Sequence, residues 1–118
     1  MSDEGQYSEY SLDYHFGGKR INMKPLFDEL IQKLRKDLDF EFKIGKAYIG
    51  LLRTLVFGAL RIQTKKIIVE FVARKVIKSN RIKKVIQCGK QRWAYFVDIK
   101  ESRDIDEQLI NWIKQSYE

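Results

Sequence analysis

AYIGLLRTLVFGALRI, at residues 47–62, contains the longest apolar stretch of this chain, which runs to Leu60 and is broken only at Arg53 and Thr54. Both halves are rich in residues that favour β-strands and are almost continuously apolar, as in the central strands of a sheet. The pattern therefore predicts two central strands joined by a tight turn at Arg53-Thr54. Because the stretch is shorter than the ~20 apolar residues of a membrane-spanning helix, we expect no membrane span.

Alternating apolar residues predict further strands on both sides of this hairpin. Apolar and charged side chains alternate over residues 40–44, and a similar alternation occurs over residues 67–71. A last alternating strand is predicted at residues 93–99. Residues 74–90, between the last two strands, fit a short helix or a loop with one turn equally well. We expect an antiparallel sheet of four or five strands.

Two amphipathic helices are predicted, one on each side of the sheet-forming region. In residues 25–38 the apolar side chains recur at the i, i+3, i+4, i+7 spacing of one helical face, with Asn22 or Lys24 as the cap. Near the C-terminus, Asp104 and Glu107 have the spacing of a capping box. The apolar stripe of that second helix consists of Ile105, Leu109, Trp112, Ile113 and Tyr117. The expected fold is α+β, in the order helix, three or four strands, irregular segment, strand, helix, with both helices on one face of the sheet.

The chain has the length of one ordinary domain, at 118 residues. We place the domain at residues 19–118 and expect residues 1–18, which are acidic and polar, to form a mobile N-terminal arm; the Gly17-Gly18 pair marks a turn. The N-terminus lacks the basic and apolar regions of a secretory signal. A single cysteine, Cys88, cannot form an intramolecular disulfide, which favours a reducing compartment. We expect a soluble protein of the cytoplasm.

The net charge of +7 is concentrated in the middle of the chain. Residues 43–92 contain fourteen Lys or Arg and a single acid, Glu70. This basic block favours a polyanionic partner, DNA or RNA, whose phosphates Lys and Arg neutralise. Aromatic rings such as Phe57 and Phe96 lie within and beside the block and suit either base stacking or a hydrophobic core. The candidate nucleic-acid-binding residues are Lys65, Lys66, Arg74, Lys75, Lys78, Arg81, Lys83, Lys84, Lys90 and Arg92.

No constellation of residues is typical of an enzyme or a metal site, so we expect neither catalysis nor a cofactor. Zinc needs several Cys or His at ligand spacing, but Cys88 and His15 are the only ones and lie far apart in sequence. Neither residue lies in a nucleophile motif, and no glycine-rich phosphate loop is present. Glu41 and Lys43 form the Glu-x-Lys pattern of many metal-dependent nucleases. However, any half-buried strand has this pattern, and no second carboxylate lies on a predicted partner strand.

Several short motifs resemble a known family. They are YSLDYHFGGK at residues 10–19, LFDEL at 26–30, KAYIG at 46–50 and the segment 105–118. Through them the chain resembles the uncharacterised bacterial and archaeal family known as domain of unknown function 5655. The resemblance implies a domain that occurs alone or at the C-terminus of longer proteins with nuclease-like or restriction-type parts, and it brings no catalytic residues. The family's label of predicted transport protein conflicts with the lack of a membrane span.

We favour the hypothesis of a non-enzymatic accessory domain that binds nucleic acid without sequence specificity. The alternative is a protein-interaction or dimerisation module associated with nuclease or restriction-type systems, with a protein partner or a second copy of the chain bound at Leu52 and Leu55. A small-ligand pocket between sheet and helices has no dedicated polar cluster in the sequence. A contiguous basic face would favour nucleic acid, and a contiguous apolar face would favour a protein partner.

Overall fold

The computed structural model describes residues 10–118, which form a six-stranded sheet, two α-helices and short 3-10 helices. The strands are β1 (Glu41–Ile44), β2 (Ile49–Leu52), β3 (Val56–Ile62), β4 (Ile67–Ala73), β5 (Ile82–Gly89) and β6 (Arg92–Ile99). The helices are α1 (Lys24–Arg35) and α2 (Glu107–Tyr117). All neighbouring strands are antiparallel in the order β1-β2-β3-β4-β6-β5, so β1 and β5 form the two edges. The α+β fold with an antiparallel sheet is confirmed.

The sheet has six strands rather than four or five, because residues 82–89 form β5. Neither a short helix nor a one-turn loop, the alternatives left open for this segment, describes it. Apolar and polar residues do not alternate in this segment, because the side chains along almost the whole strand are exposed on both faces of the sheet. Register shifts between Ile82 and Lys84 and between Gln87 and Gly89 also interrupt the pairing with β6. Backbone pairing, rather than side-chain burial, holds β5 in the sheet.

One face of the sheet is buried under the helices, and the other remains partly exposed. In β4 the side chains of Ile67, Val69, Phe71 and Ala73 are buried, whereas the residues between them are half-buried. At the centre of the buried face, the Phe71 ring stacks on Tyr95 and on Trp112 of α2, with centroid distances of 5.7 and 5.3 Å. These three rings fix α2 to the middle of the sheet.

Both helix caps differ from the sequence prediction. The residue that precedes α1 is Met23, and no side chain caps the helix, because a 3-10 helix at Gly18–Met23 leads directly into it. The cap of α2 is Asp106, whose carboxylate accepts a hydrogen bond of 3.0 Å from the N–H of Leu109. Asp104 belongs instead to a separate 3-10 helix, Ser102–Asp104. The predicted capping box of Asp104 and Glu107 is therefore wrong.

The predicted N-terminal arm lies only partly within the described residues, because residues 1–9 fall outside them. Within the remainder, Asp13–Phe16 form a 3-10 helix with both His15 and Phe16 buried. The Nε2–H of His15 donates a hydrogen bond of 2.8 Å to the carbonyl of Gly45, at the end of β1. Residues 13–16 are therefore packed against the domain. No helix in the described part of the chain is long and apolar enough to cross a membrane.

Candidate nucleic-acid interface

The ten candidate cations occupy several places on the fold rather than one face. Arg74, Lys75 and Arg92 meet where β4 ends and β6 begins. Lys65 and Lys66 lie at the other end of β4. Since a strand of seven residues spans about 20 Å, these two groups are separated by the length of the sheet. The remaining candidates, Lys78, Arg81, Lys83, Lys84 and Lys90, lie in the segment before β5, along β5 or just after it.

Strand pairing brings Arg74 and Arg92 together. The register of the antiparallel strands β4 and β6 pairs Ala73 with Trp93. Arg74, which follows Ala73, therefore lies beside Arg92, which precedes Trp93. Lys75 follows Arg74 and is positioned by Tyr95. The Tyr95 hydroxyl donates a hydrogen bond of 3.0 Å to the Lys75 carbonyl and accepts one of 2.8 Å from the N–H of Ile77. A buried core tyrosine thus fixes the backbone that carries Lys75.

These cations line a pocket of about 650 Å³ at this end of the sheet. Its walls come from the β2–β3 turn with the start of β3 (residues 53–57), the end of β4, the start of β6 and the last turn of α2. We call it the basic pocket, after the four cations that line it. They are Arg53, Arg74, Lys75 and Arg92. Glu118 is the one acidic side chain of its lining, and Leu55, Val56, Phe57, Val72 and Ala73 supply apolar surface.

Ser116 of α2 holds β3 and β4 in place at the inner side of the basic pocket. The pairing of β3 with β4 ends at Gly58 and Phe71, and beyond it the N–H of Val72 donates a hydrogen bond of 3.0 Å to the Ser116 Oγ. The Ser116 hydroxyl in turn donates to the carbonyl of Phe57. One side chain therefore replaces the missing pairing between the two strands and fixes the end of α2 against them.

Two of the ten candidates form internal ion pairs. Lys66 forms an ion pair of 3.0 Å with Asp98. Arg81 binds Asp106 at 2.8 Å, and its guanidinium lies over the Trp112 ring. Partial burial would raise the pKa of Asp106, but the hydrogen bonds from the Leu109 N–H and from Arg81 outweigh it and hold that pKa below its ordinary value. These cations stabilise the fold and have less capacity for an external ligand.

Most other candidates have no such partners. Within residues 10–118, the side chains of the following candidates are exposed and make no hydrogen bond, ion pair or ring contact: Lys65, Arg74, Lys75, Lys78, Lys83, Lys90 and Arg92. Lys84 is also exposed and lies over the Phe96 ring at 5.5 Å. Arg53 lies 4.5 Å from the Tyr117 ring centroid and donates a hydrogen bond of 3.5 Å to the Tyr117 carbonyl. Among the ten candidates, the unpaired positive charge therefore lies mainly at the basic pocket and along the neighbouring β5–β6 hairpin.

The aromatic and apolar candidates divide between core and surface. Phe57 is buried in the core, whereas Phe96 is half-buried. Of the proposed interaction patch, Leu55 is 78% exposed and lines the basic pocket, while Leu52 is half-buried in β2. The apolar patch is therefore centred on Leu55 and its neighbour Val56, at the edge of the cations.

The described residues offer no arrangement that would hold a metal ion. No group of three His, Cys, Asp or Glu lies close enough together among residues 10–118. Glu41 and Lys43 are exposed on the edge strand β1, where they alternate with the half-buried Phe42 and Ile44. Cys88 is an exposed free thiol in β5.

The family model described as Domain of unknown function (DUF5655) matches residues 12–118. The chain belongs to this family. The match includes every residue of the basic pocket and begins within the segment predicted as an arm. No curated protein and no solved structure matches the chain significantly. Any function of this family member must therefore be argued from its own geometry.

Two contributors to the site were not among the sequence candidates. Arg53 was assigned only to the tight turn, and Ser116 had no assigned role. The position of Arg53 in the basic block was the available signal for the first residue. No sequence signal pointed to Ser116, because its role depends on where β3 and β4 separate.

Proposed function

We propose that the chain is a non-enzymatic accessory domain that binds nucleic acid without sequence specificity, through the basic pocket and the β5–β6 hairpin. One observation carries the proposal. The exposed cations in this region, among them Arg74, Arg92, Lys83 and Lys90, have no ion-pair partner within residues 10–118. Nucleic-acid phosphates would neutralise these charges and release counterions, which is the main source of affinity in non-specific binding.

The placement of the paired cations supports this reading. Lys66, just before β4, and Arg81, just before β5, both have acidic partners. Both lie at the end of the sheet where β4 begins. At the other end, Arg74 and Arg92 lie side by side without a carboxylate between them. Adjacent unpaired like charges repel each other and disfavour the compact state. A polyanion would remove that repulsion.

The same geometry argues against sequence-specific recognition. The helices α1 and α2 bury their apolar faces against the sheet, and the proposed surface consists of strand ends, turns and the β5–β6 hairpin. Neither helix projects from the fold, as a helix that reads base edges in the major groove of duplex DNA must do. Lys and Arg on strand ends reach phosphates more readily than bases. We therefore expect binding that tolerates any sequence.

Salt-dependent binding of fluorescent oligonucleotides tests the proposal. If about four phosphates are neutralised, affinity for duplex DNA should fall on the order of 100-fold between 50 and 200 mM salt. Replacement of both β5–β6 lysines, Lys83→Glu with Lys90→Glu, should weaken binding and reduce the salt slope by about one to two. The matched control, Lys19→Glu with Lys36→Glu, makes the same change in net charge on exposed residues of the helical layer. It should leave the slope nearly unchanged.

Absence of binding would favour the second candidate function. If no DNA or RNA is retained at ~50 mM salt, where phosphate contacts are strongest, nucleic-acid binding is refuted. The observation that favours a protein-interaction module is the outer edge of β5, which pairs with no other strand among the described residues. Val85 and Ile86 at its centre are 48% and 43% exposed. An unpaired strand edge with exposed apolar residues is suited to pairing with another chain.

A further inference from the structure

The basic pocket combines two kinds of surface that a flat phosphate-binding face does not need. Its charged part contains Arg74, Lys75 and Arg92, none of which has an internal partner in the described chain. Its apolar part contains Leu55, the most exposed large hydrophobic residue among residues 10–118, and the exposed Val56. A ligand that suits both parts carries concentrated negative charge next to an apolar or flat body.

We propose that the basic pocket binds a phosphomonoester of a nucleoside, either the phosphorylated end of a nucleic-acid strand or a free mononucleotide. A phosphomonoester carries a charge of about −1.5 to −2 at pH 7, compared with −1 for each phosphodiester within a strand. Within the described chain, the pocket has three unpaired cations and Arg53, and Glu118 is the single acidic side chain of its lining, so its positive charge matches the negative charge of the monoester better. Binding of a strand end depends on the proposed nucleic-acid binding, whereas binding of a free nucleotide does not.

The backbone that carries the cations is held in position before a ligand arrives. Arg92 is the first residue of β6 and pairs with Gly89, and the backbone of Lys75 is fixed by the Tyr95 hydroxyl. The Arg53 side chain is held as well, by the ring and carbonyl of Tyr117, and only one of its five N–H donors is used there. A guanidinium that is already held loses less conformational entropy on binding than a free surface side chain does. The remaining guanidinium donors are suited to two-point contacts with phosphate oxygens.

The apolar part gives the nucleoside a place to bind. Leu55 is 78% exposed at the β2–β3 turn, and Phe57 and Val72 lie in the same lining. A base or sugar packed against Leu55 and Val56 would remove this apolar surface from water, whereas an inorganic phosphate would leave it exposed. We therefore expect the nucleoside to add affinity beyond that of its phosphate.

The inner side of the pocket favours the end of a strand over its middle. Ser116 bridges β3 and β4 there, and the last turn of α2 adjoins it, so that protein closes this side. A strand that ran past the cations would have to turn away from this side, whereas a strand end can place its terminal phosphate against them.

Titration of the full chain with a series of probes tests the inference. The probes are adenosine 5′-monophosphate, adenosine, inorganic phosphate, and short single strands that carry a phosphate or a hydroxyl at the same end. Amide shifts in NMR spectra should report saturable binding of the monophosphate, weaker binding of phosphate and no binding of adenosine. The phosphorylated strand should bind on the order of 10-fold tighter than the hydroxyl strand, as expected for an added set of charged hydrogen bonds.

Three variants locate the effect. Arg92→Gln and Arg74→Gln should each weaken binding of the monophosphate on the order of 10-fold and remove the preference for the phosphorylated strand. Arg61→Gln, the same change on β3 outside both the pocket and the β5–β6 hairpin, should leave both unchanged. All three residues are exposed and have no internal partner in the described chain, so the thermal midpoint should stay near that of the parent.

The outcomes separate this inference from the proposed function. If strands bind with the expected salt slope but the end group makes no difference and the monophosphate does not bind, the pocket inference is wrong and nucleic-acid binding stands. If the monophosphate binds but no strand does, the pocket inference holds for a free nucleotide and nucleic-acid binding is refuted. Equal binding of adenosine and its monophosphate would overturn the role assigned to the cations.

Discussion

Replacement of Trp112 by alanine should destabilise the protein strongly, because this side chain connects α2 to the centre of the sheet. Its ring is only 8% exposed, stacks on Phe71 at 5.3 Å and is covered by the Arg81 guanidinium at 5.8 Å. Loss of a buried Trp costs about 3–5 kcal/mol, including the cavity that it leaves. At ~2.1 cal/mol/K per residue, the unfolding entropy of the whole chain is ~0.25 kcal/mol per degree. Division of the lost free energy of unfolding by this entropy gives a fall of the thermal midpoint by ~12–20 °C.

Thermal and urea unfolding, followed by circular dichroism, measure this effect. The matched control is Trp93→Ala in β6, because the Trp93 side chain is only half-buried. It should cost less than Trp112→Ala, within the ~0.5–3 kcal/mol typical of single substitutions. A Trp112→Ala variant of near-native stability, or one more stable than Trp93→Ala, would refute the argument that the Phe71–Trp112 stack anchors α2.

Two further predictions concern the cap of α2 and the absence of a structural metal. Asp106→Ala should cost about 0.5–2 kcal/mol through the lost cap to Leu109. Folding lowers the pKa of Asp106, so the ionised carboxylate stabilises the folded protein at pH values above the unfolded pKa of about 3.9. This stabilisation is lost as the pH falls through the pKa of Asp106 in the folded protein. The urea midpoint of Asp106→Ala should therefore vary less with pH in that range than the midpoint of the parent. Chelator and reductant should leave the thermal midpoint unchanged, and a drop of many degrees on chelation would reveal an ion that holds the fold.

The sequence predicts the strands whose side chains are buried. The almost continuously apolar stretch at residues 47–62 forms β2 and β3, whose side chains are buried nearly without interruption. The alternation at 67–71 and 93–99 forms β4 and β6, in which burial of one face imposes the period. The prediction fails at β5, residues 82–89, because an edge strand with exposed side chains is under no such constraint.

The candidate site is predicted in its charge but not in its shape. The basic block contains Arg74, Lys75 and Arg92, which the pairing of β4 with β6 brings together. The pocket, however, also needs Arg53 from the β2–β3 turn and the last turn of α2. These segments are distant in sequence and meet only because the sheet order places β3 next to β4 and α2 crosses both. No local pattern encodes that arrangement.

Which cations remain unpaired also depends on tertiary structure. Asp98 and Asp106, which neutralise Lys66 and Arg81, lie outside the basic block, in a C-terminal region of residues 93–118 with six acids and three bases. Both ion pairs form at the end of the sheet where β4 begins and β6 ends. Among the described residues, Asp98 and Asp106 are thus used at one end of the sheet, where Lys65 and Lys83 remain unpaired, and at the other end Glu118 is the one acid that lines the basic pocket. The basic block is therefore neutralised unevenly, and at the β4–β6 corner Arg74, Lys75 and Arg92 have no ion-pair partner among residues 10–118.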